Sequence, residues 1–174
     1  MIGSGTVALE AIVDGQETNI QFYKRGDIID SHVLKHDKNL LPGLTFQFRC
    51  VGNVSLLRLP IESFDMTHMD YVEQLQAQNR LLAVRLAGMS YKDVHRRLVA
   101  RLLYLANQYG RTNDDQTVIS LPITHRQLAQ SVSSTRETVN KLIRHLSSQG
   151  VVSMKSRTIR ILSPSTLRQQ LTRR

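Results

Sequence analysis

The chain has 174 residues, room for one ordinary domain or two small ones, and with 41% hydrophobic and 21% charged residues it has a globular rather than a disordered composition. No apolar run approaches the roughly 20 residues that span a bilayer and no basic, apolar leader opens the chain, so no membrane partner reached through a spanning segment and a cytoplasmic location are expected. The net charge of +9 is lopsided: residues 1–110 carry twelve Lys and Arg against eleven Asp and Glu, residues 111–174 eleven against three. Such a basic segment releases counterions from a polyanion, which nominates DNA, RNA or an anionic membrane without choosing among them. The single cysteine, Cys50, excludes an internal disulfide or a zinc ribbon and is expected as a small buried apolar residue.

Residues 6–59 read as β structure. Val7-Ala8-Leu9 and Ala11-Ile12-Val13 lead into the hairpin pair Asp14-Gly15, followed by Ile20, Phe22 and a turn at Lys24-Arg25-Gly26-Asp27. Two further strands are expected at 44–51 and 54–59, and the unperiodic stretch 30–43, with Pro42-Gly43, reads as a loop. Between residues 71 and 89 the period changes, and Val72, Leu75, Asn79, Leu82, Leu86 and Met89 recur with alternating steps of three and four. A 3.5-residue repeat keeps one stripe facing a partner helix, and a lone Asn79 satisfies its amide best opposite its symmetry mate. A homodimer seam is therefore expected, although the spacing also suits an amphipathic helix packed on its own domain.

Ser90, three residues before Asp93, is expected to cap a second helix through Val94, Leu98, Leu102, Leu105 and Ala106 to Gly110. Residues 111–116 read as a connector and 117–121 as a short strand ended by Pro122. Thr124 and Gln127 have capping-box spacing for a brief helix, and residues 131–134 break it. Ser134 and Glu137 supply a second such box, for a helix from about Thr135 to Ser148 that stops at Gly150.

Two capped helices around a tight turn form a helix-turn-helix. On the second, Val139, Leu142, Ile143 and Leu146 make one apolar stripe, leaving Arg136, Glu137, Asn140, Lys141 and Arg144 opposite. Arg can donate twice to guanine, Glu accepts from cytosine and Asn pairs with adenine, so Arg136, Glu137, Asn140 and Lys141 are the candidate base readers. Thr124, His125, Ser134, Thr135 and Arg144 are candidate contacts to the DNA backbone, His125 through phosphate or as a merely solvated side chain. Residues 151–154 and 158–161 alternate as a hairpin whose tip, Lys155, Ser156 and Arg157, is a basic wing suited to phosphate contact. Residues 163–171 read as a last helix before Arg173-Arg174, a frayed basic end.

Ser134-Thr135-Arg136-Glu137-Thr138-Val139 resembles the recognition-helix signature of the cyclic-AMP receptor protein and fumarate-nitrate regulator (Crp/Fnr) family. Gly5-Thr6-Val7, Asp14-Gly15 and Gly26-Asp27 resemble its β-roll, residues 71–89 its dimerisation helix, and Arg97-Leu98-Val99 the start of its DNA-binding domain. The resemblance implies an α+β fold: a partial, jelly-roll-like β-roll over residues 1–65 that lacks several leading strands, a long dimerisation helix over 66–90, and a winged helix-turn-helix over 91–174. It also implies homodimers on near-palindromic double-stranded DNA and RNA polymerase as a further partner.

Cyclic-nucleotide binders of the family carry Gly-Glu and Arg-Ser or Arg-Thr pairs, where this sequence has Asp30-Ser31 and Leu44-Thr45, and Leu82 and Ala83 replace their adenine-facing hydroxyls. Neither cyclic AMP nor an iron–sulfur cluster is expected as a cofactor, and the effector stays open. The run 97–110 is similar to cyanobacterial nitrogen regulators of the family, which sense 2-oxoglutarate, but their ligand contacts find no match here.

An enzyme would have to use Asp30, His32, His36 and Asp37, two His four residues apart flanked by carboxylates. That segment has neither helical period nor general base, so no catalytic and no metal residue is expected. A winged-helix adaptor for protein or RNA is the other alternative, but the second helix shows no exposed apolar or aromatic anchor of the kind protein partners use.

Overall fold

The computed structural model describes residues 1–29, 34, 43–58, 69–113 and 115–172, with the backbone alone for 69–71. Most of the expected loop at 30–43, including His32 and His36, and the basic end Arg173-Arg174 lie outside the described residues. The chain is α+β and divides into two compact units, Met1–Leu82 and Ala83–Arg174.

In the first unit β1 (Ile2–Val13), β2 (Gln16–Tyr23) and β3 (Thr45–Leu56) form an antiparallel sheet in the order β2-β1-β3. Asp14 and Gly15 both have positive φ, 50° and 73°, which suits a two-residue hairpin to the twist of its strands. Ile2, Val7, Leu9 and Tyr23 make a small core, with Phe46, Phe48 and Val54 packed on it. Across the strands Glu10 pairs with Gln47, and the buried Glu10 carboxylate accepts from Gln47 Nε2 at 3.0 Å and from Arg49. The turn at residues 24–27 closes as expected, with Asp27 N–H donating to Lys24 O at 3.0 Å.

Two expectations for this unit are corrected. The strands expected at 44–51 and 54–59 are one strand, because the ladder to β1 runs through Gly52 as an irregularity rather than ending there. Gly52 has φ +77°, and opposite it Gly5 has φ +82° and no room for a Cβ, which would lie 2.3 Å from Asn53 O. Cys50 is exposed rather than buried, because β3 is flanked by β1 alone among the described strands.

The helix α1 (Met69–Met89) carries the heptad stripe. Val72, Leu75, Asn79 and Leu86 on it are exposed, and Leu82 and Met89 are half-buried.

The second unit begins with α2 (Val94–Tyr109), whose Leu98, Val99, Leu102 and Leu105 are fully buried. Its cap is Asp93, which accepts from Arg96 N–H at 2.7 Å, and not Ser90, whose hydroxyl instead donates to Leu86 O at 3.4 Å. The expected connector at 111–116 is largely β4 (Gly110–Asn113), paired with β5 (Gln116–Ile119). Its side chains Arg111, Thr112 and Asn113 are all exposed, so the strand forms through backbone pairing and leaves no hydrophobic period to read. Gly110 makes the sharp exit from α2 possible: a Cβ there would lie 2.2 Å from Ala106 O and 2.5 Å from Thr117 Cγ2.

With β6 (Val152–Lys155) and β7 (Thr158–Ile161) these strands complete a sheet in the order β4-β5-β7-β6. The helices α3 (His125–Gln130), α4 (Arg136–Ser148) and α5 (Pro164–Thr172) complete the unit as a winged helix-turn-helix. Its core gathers Leu128, Val132, Val139, Leu146, Val152, Ile159, Ile161 and Leu167, each at most 1% exposed.

Candidate nucleic-acid interface

α3 starts where Thr124 and Gln127 close the expected capping box: Gln127 N–H donates to Thr124 Oγ1 at 3.1 Å and Thr124 N–H to Gln127 Oε1 at 2.9 Å. Leu128 and Ala129 bury one side of this six-residue helix. The turn that follows folds back on it, with Ser134 N–H donating to Ala129 O at 3.0 Å and Val132 inserted into the core. Ser133 is the pivot, with φ +48° in the left-handed region that glycine favours. Left-handed backbone costs a residue with a Cβ roughly 1–2 kcal/mol, and the extra chain entropy of glycine offsets about half of that. Ser133→Gly is therefore expected to raise stability by up to about 1 kcal/mol, read as an upward shift of the melting temperature of the C-terminal unit.

α4 begins one residue later than the expected box. Thr135 is its cap, accepting from Thr138 N–H at 3.2 Å, and Ser134 with Glu137 does not form the reciprocal pair. Val139, Ile143 and Leu146 are buried and fix the helix rotation. Arg136, Glu137, Lys141 and Arg144 consequently lie exposed along the other side, whereas Asn140 is half-buried. The Asn140 Oδ1 is shielded from water without a hydrogen-bond partner among the described residues. At its end Gly150, with φ +69°, reverses the chain so that Val151 N–H returns to Leu146 O at 2.9 Å.

An open groove of about 400 Å³ runs beside α4, lined by His125, Arg136, Asn140, Arg144 and Met154. It gathers two guanidiniums and an imidazole. Partial burial, and then the Arg136 and Arg144 charges, hold His125 below the usual histidine range, which favours its neutral form. Of the three acids in residues 111–174, Glu137 is the one that falls in the sequence of the helix-turn-helix and wing.

The wing is the β6–β7 hairpin. Lys155 pairs with Thr158, and Ser156 and Arg157 between them have φ +47° and +68°. Lys155, Ser156 and Arg157 are exposed, as expected of a phosphate-contacting tip, and Ile123 N–H donates to Arg157 O at 3.3 Å, tying the tip to the segment that enters α3. Arg160, which the sequence reading passed over, shares a second basic groove with Lys155, Ser153 and Thr158. The alternation Thr158-Ile159-Arg160-Ile161, with both isoleucines buried, was the available signal for its outward direction.

Arg97 was read only as part of a motif, yet it bonds the turn between α3 and α4, Nε donating to Val132 O at 3.0 Å. Among the described residues no group of three or more His, Cys, Asp or Glu is gathered to hold a metal, and no helix is long and apolar enough to cross a membrane.

Residues 96–170 match the family model of the Crp-like helix-turn-helix domain. The global nitrogen regulator of a Nostoc species is 29% identical over 126 residues, 68% of this chain and 56% of that protein. A CRP-like cAMP-activated global transcriptional regulator of Mycobacterium tuberculosis is 29% identical over 118 residues, 64% of this chain and 51% of that protein. The chain thus spans little more than half the length of these relatives. Among solved structures, a CRP-family transcriptional regulator of Thermus thermophilus superposes with a TM-score of 0.77 at 17% identity, covering 99% of this chain and 86% of that one. A CooA mutant of Carboxydothermus hydrogenoformans gives 0.79 at 20% identity, covering 98% and 77%. These likenesses establish the fold.

Proposed function

Because residues 96–170 match the family model of the Crp-like helix-turn-helix domain, and the chain has the fold of Crp/Fnr regulators, we propose that the protein is a sequence-specific transcription regulator rather than an enzyme. It acts in the cytoplasm as a homodimer on near-palindromic duplex sites, and RNA polymerase is its further partner. The observation that carries this reading is the exposed edge of α4, where Arg136, Glu137, Lys141 and Arg144 follow a capped N-terminus in a segment with eleven basic residues and three acids. A protruding helix edge of this composition fits the major groove, whose base edges offer paired acceptors to Arg and a donor to Glu.

In this reading Arg136 and Glu137 read bases from the first turn of α4, and Lys141 extends the contact one turn on. Asn140 reaches a base only through a donor that satisfies its shielded Oδ1. Thr124, His125, Ser134, Thr135 and Arg144, with Lys155, Ser156 and Arg157 of the wing, hold the phosphates and set register. Cyclic AMP is not required, because Leu44 and Thr45 stand where the family's cyclic-nucleotide binders carry the phosphate-gripping arginine.

Selection of binding sites from random duplex with the purified chain tests the reading, and a two-fold symmetric consensus is the expected product. Arg136→Ala should then cost about 1–3 kcal/mol on the selected site and relax one base position in each half. Unchanged affinity and unchanged base preference in that variant would remove α4 from the reading role.

A further inference from the structure

Arg97 lies in the first turn of α2, and its guanidinium donates in two directions. Nη1 reaches Tyr91 O and Lys92 O, both at 3.0 Å, on the connector that follows α1. Nε reaches Val132 O at 3.0 Å and Nη2 reaches Ser133 O at 3.5 Å, in the turn that aims α4. In that turn the Val132, Ser133 and Ser134 N–H groups bond back to Ala129 O and Gln130 O, while the Val132 and Ser133 carbonyls accept from Arg97. One side chain therefore holds four carbonyls from two stretches about forty residues apart in sequence.

Its neighbours reinforce the same junction. Arg96 lies 4.6 Å over the Tyr91 ring and donates to Leu171 O, and His95 shares a hydrogen bond with Gln170 at 3.3 Å. The connector, α5 and the α3–α4 turn thus converge on three consecutive residues. A guanidinium is planar with its donors in fixed directions, so it can hold both sets of carbonyls only while connector and turn keep their present separation. A lysine ammonium keeps the charge but is a point donor that cannot span both.

We propose that Arg97 is a positioning residue for α4, locking the Val132–Ser133 turn to the Tyr91–Lys92 connector so that the angle of the base-reading edge follows the conformation of the segment leaving α1. The proposal rests on the reading of α4 as a DNA-reading helix. A displacement of the connector must either break two of the four bonds or carry the turn with it, which makes the junction a physical link rather than a mere neighbourhood of residues.

The full chain is compared with Arg97→Lys and Arg97→Gln in two measurements. Amide exchange without DNA should accelerate by about tenfold at residues 91–94 and 132–136 together, with the α2 core unaffected. Affinity for the selected site, measured well below the melting temperature, should fall by about tenfold or more in both variants, while affinity for random duplex changes by less than about threefold in Arg97→Lys. Wild-type exchange and discrimination in Arg97→Lys would show that charge alone suffices and overturn the proposal. So would faster exchange at the turn with an unaltered connector, an equal loss on selected and random DNA, or failure of both variants to fold. If the wild-type chain shows no preference for any site, the reading of α4 falls, while the exchange measurement still decides whether connector and turn are linked.

Discussion

Leu86→Asp is expected to leave a folded protein that sediments as a monomer and binds its palindromic site about 10²–10⁴-fold more weakly, the loss that follows when two linked contacts become one. Leu86 is 70% exposed, and Val72 and Leu75 on the same stripe of α1 are 42% and 38% exposed. Large apolar side chains recurring in the open along one helix stripe invite burial against a partner, and the heptad spacing suits a second copy of the same helix. A carboxylate at Leu86 would face its own symmetry mate across that seam. Because the residue makes little use of its own chain, the substitution reads association rather than folding, which the half-buried Leu82 would not do as cleanly. Sedimentation velocity and a gel-shift titration on the whole palindrome check the two halves of the prediction, and a persistent dimer would place the interface elsewhere.

Leu146→Ala is expected to lower the stability of the C-terminal unit by about 2–5 kcal/mol, the usual cost of a cavity at a fully buried leucine. Leu146 is 0% exposed and belongs to the apolar stripe on which α4 is seated, and its carbonyl accepts from Val151 N–H as the chain enters the wing. No base-reading side chain is touched. Thermal unfolding should therefore shift well below that of the wild-type chain, while affinity for the selected site, measured at low temperature where the variant is still folded, changes little. A lost affinity without a lost melting temperature would assign Leu146 a part in DNA contact that its burial does not support.

What the sequence made legible follows from which interactions leave a periodic trace. The stripe Val139, Ile143 and Leu146 and the pair Thr124 with Gln127 are local signals, three or four residues apart on one helix, and the structure repeats them. Caps were placed less well, since Ser90 and Ser134 have the right chemistry but Asp93 and Thr135 have the extended backbone that a cap needs. β4 escaped because its Arg111, Thr112 and Asn113 are all exposed and leave no hydrophobic period to read. The Cys50 reading failed because burial at a strand position depends on what covers that strand, which composition does not report. The reach of Arg97 was invisible for a related reason: its acceptors are carbonyls, which every residue has, and two of the four lie some thirty-five positions away.

The bond from Ile123 N–H to the carbonyl of Arg157 has a consequence for the shape of any duplex this protein meets. With wing tip and helix entry joined, the gap between them is settled in advance, and the protein has little slack with which to follow an ill-fitting strand. Accommodation then falls to the nucleic acid, which must kink or change its groove width, and the energy of doing so varies with base step. Easily deformed pyrimidine–purine steps should accordingly be enriched in selected sites at positions that no side chain reaches.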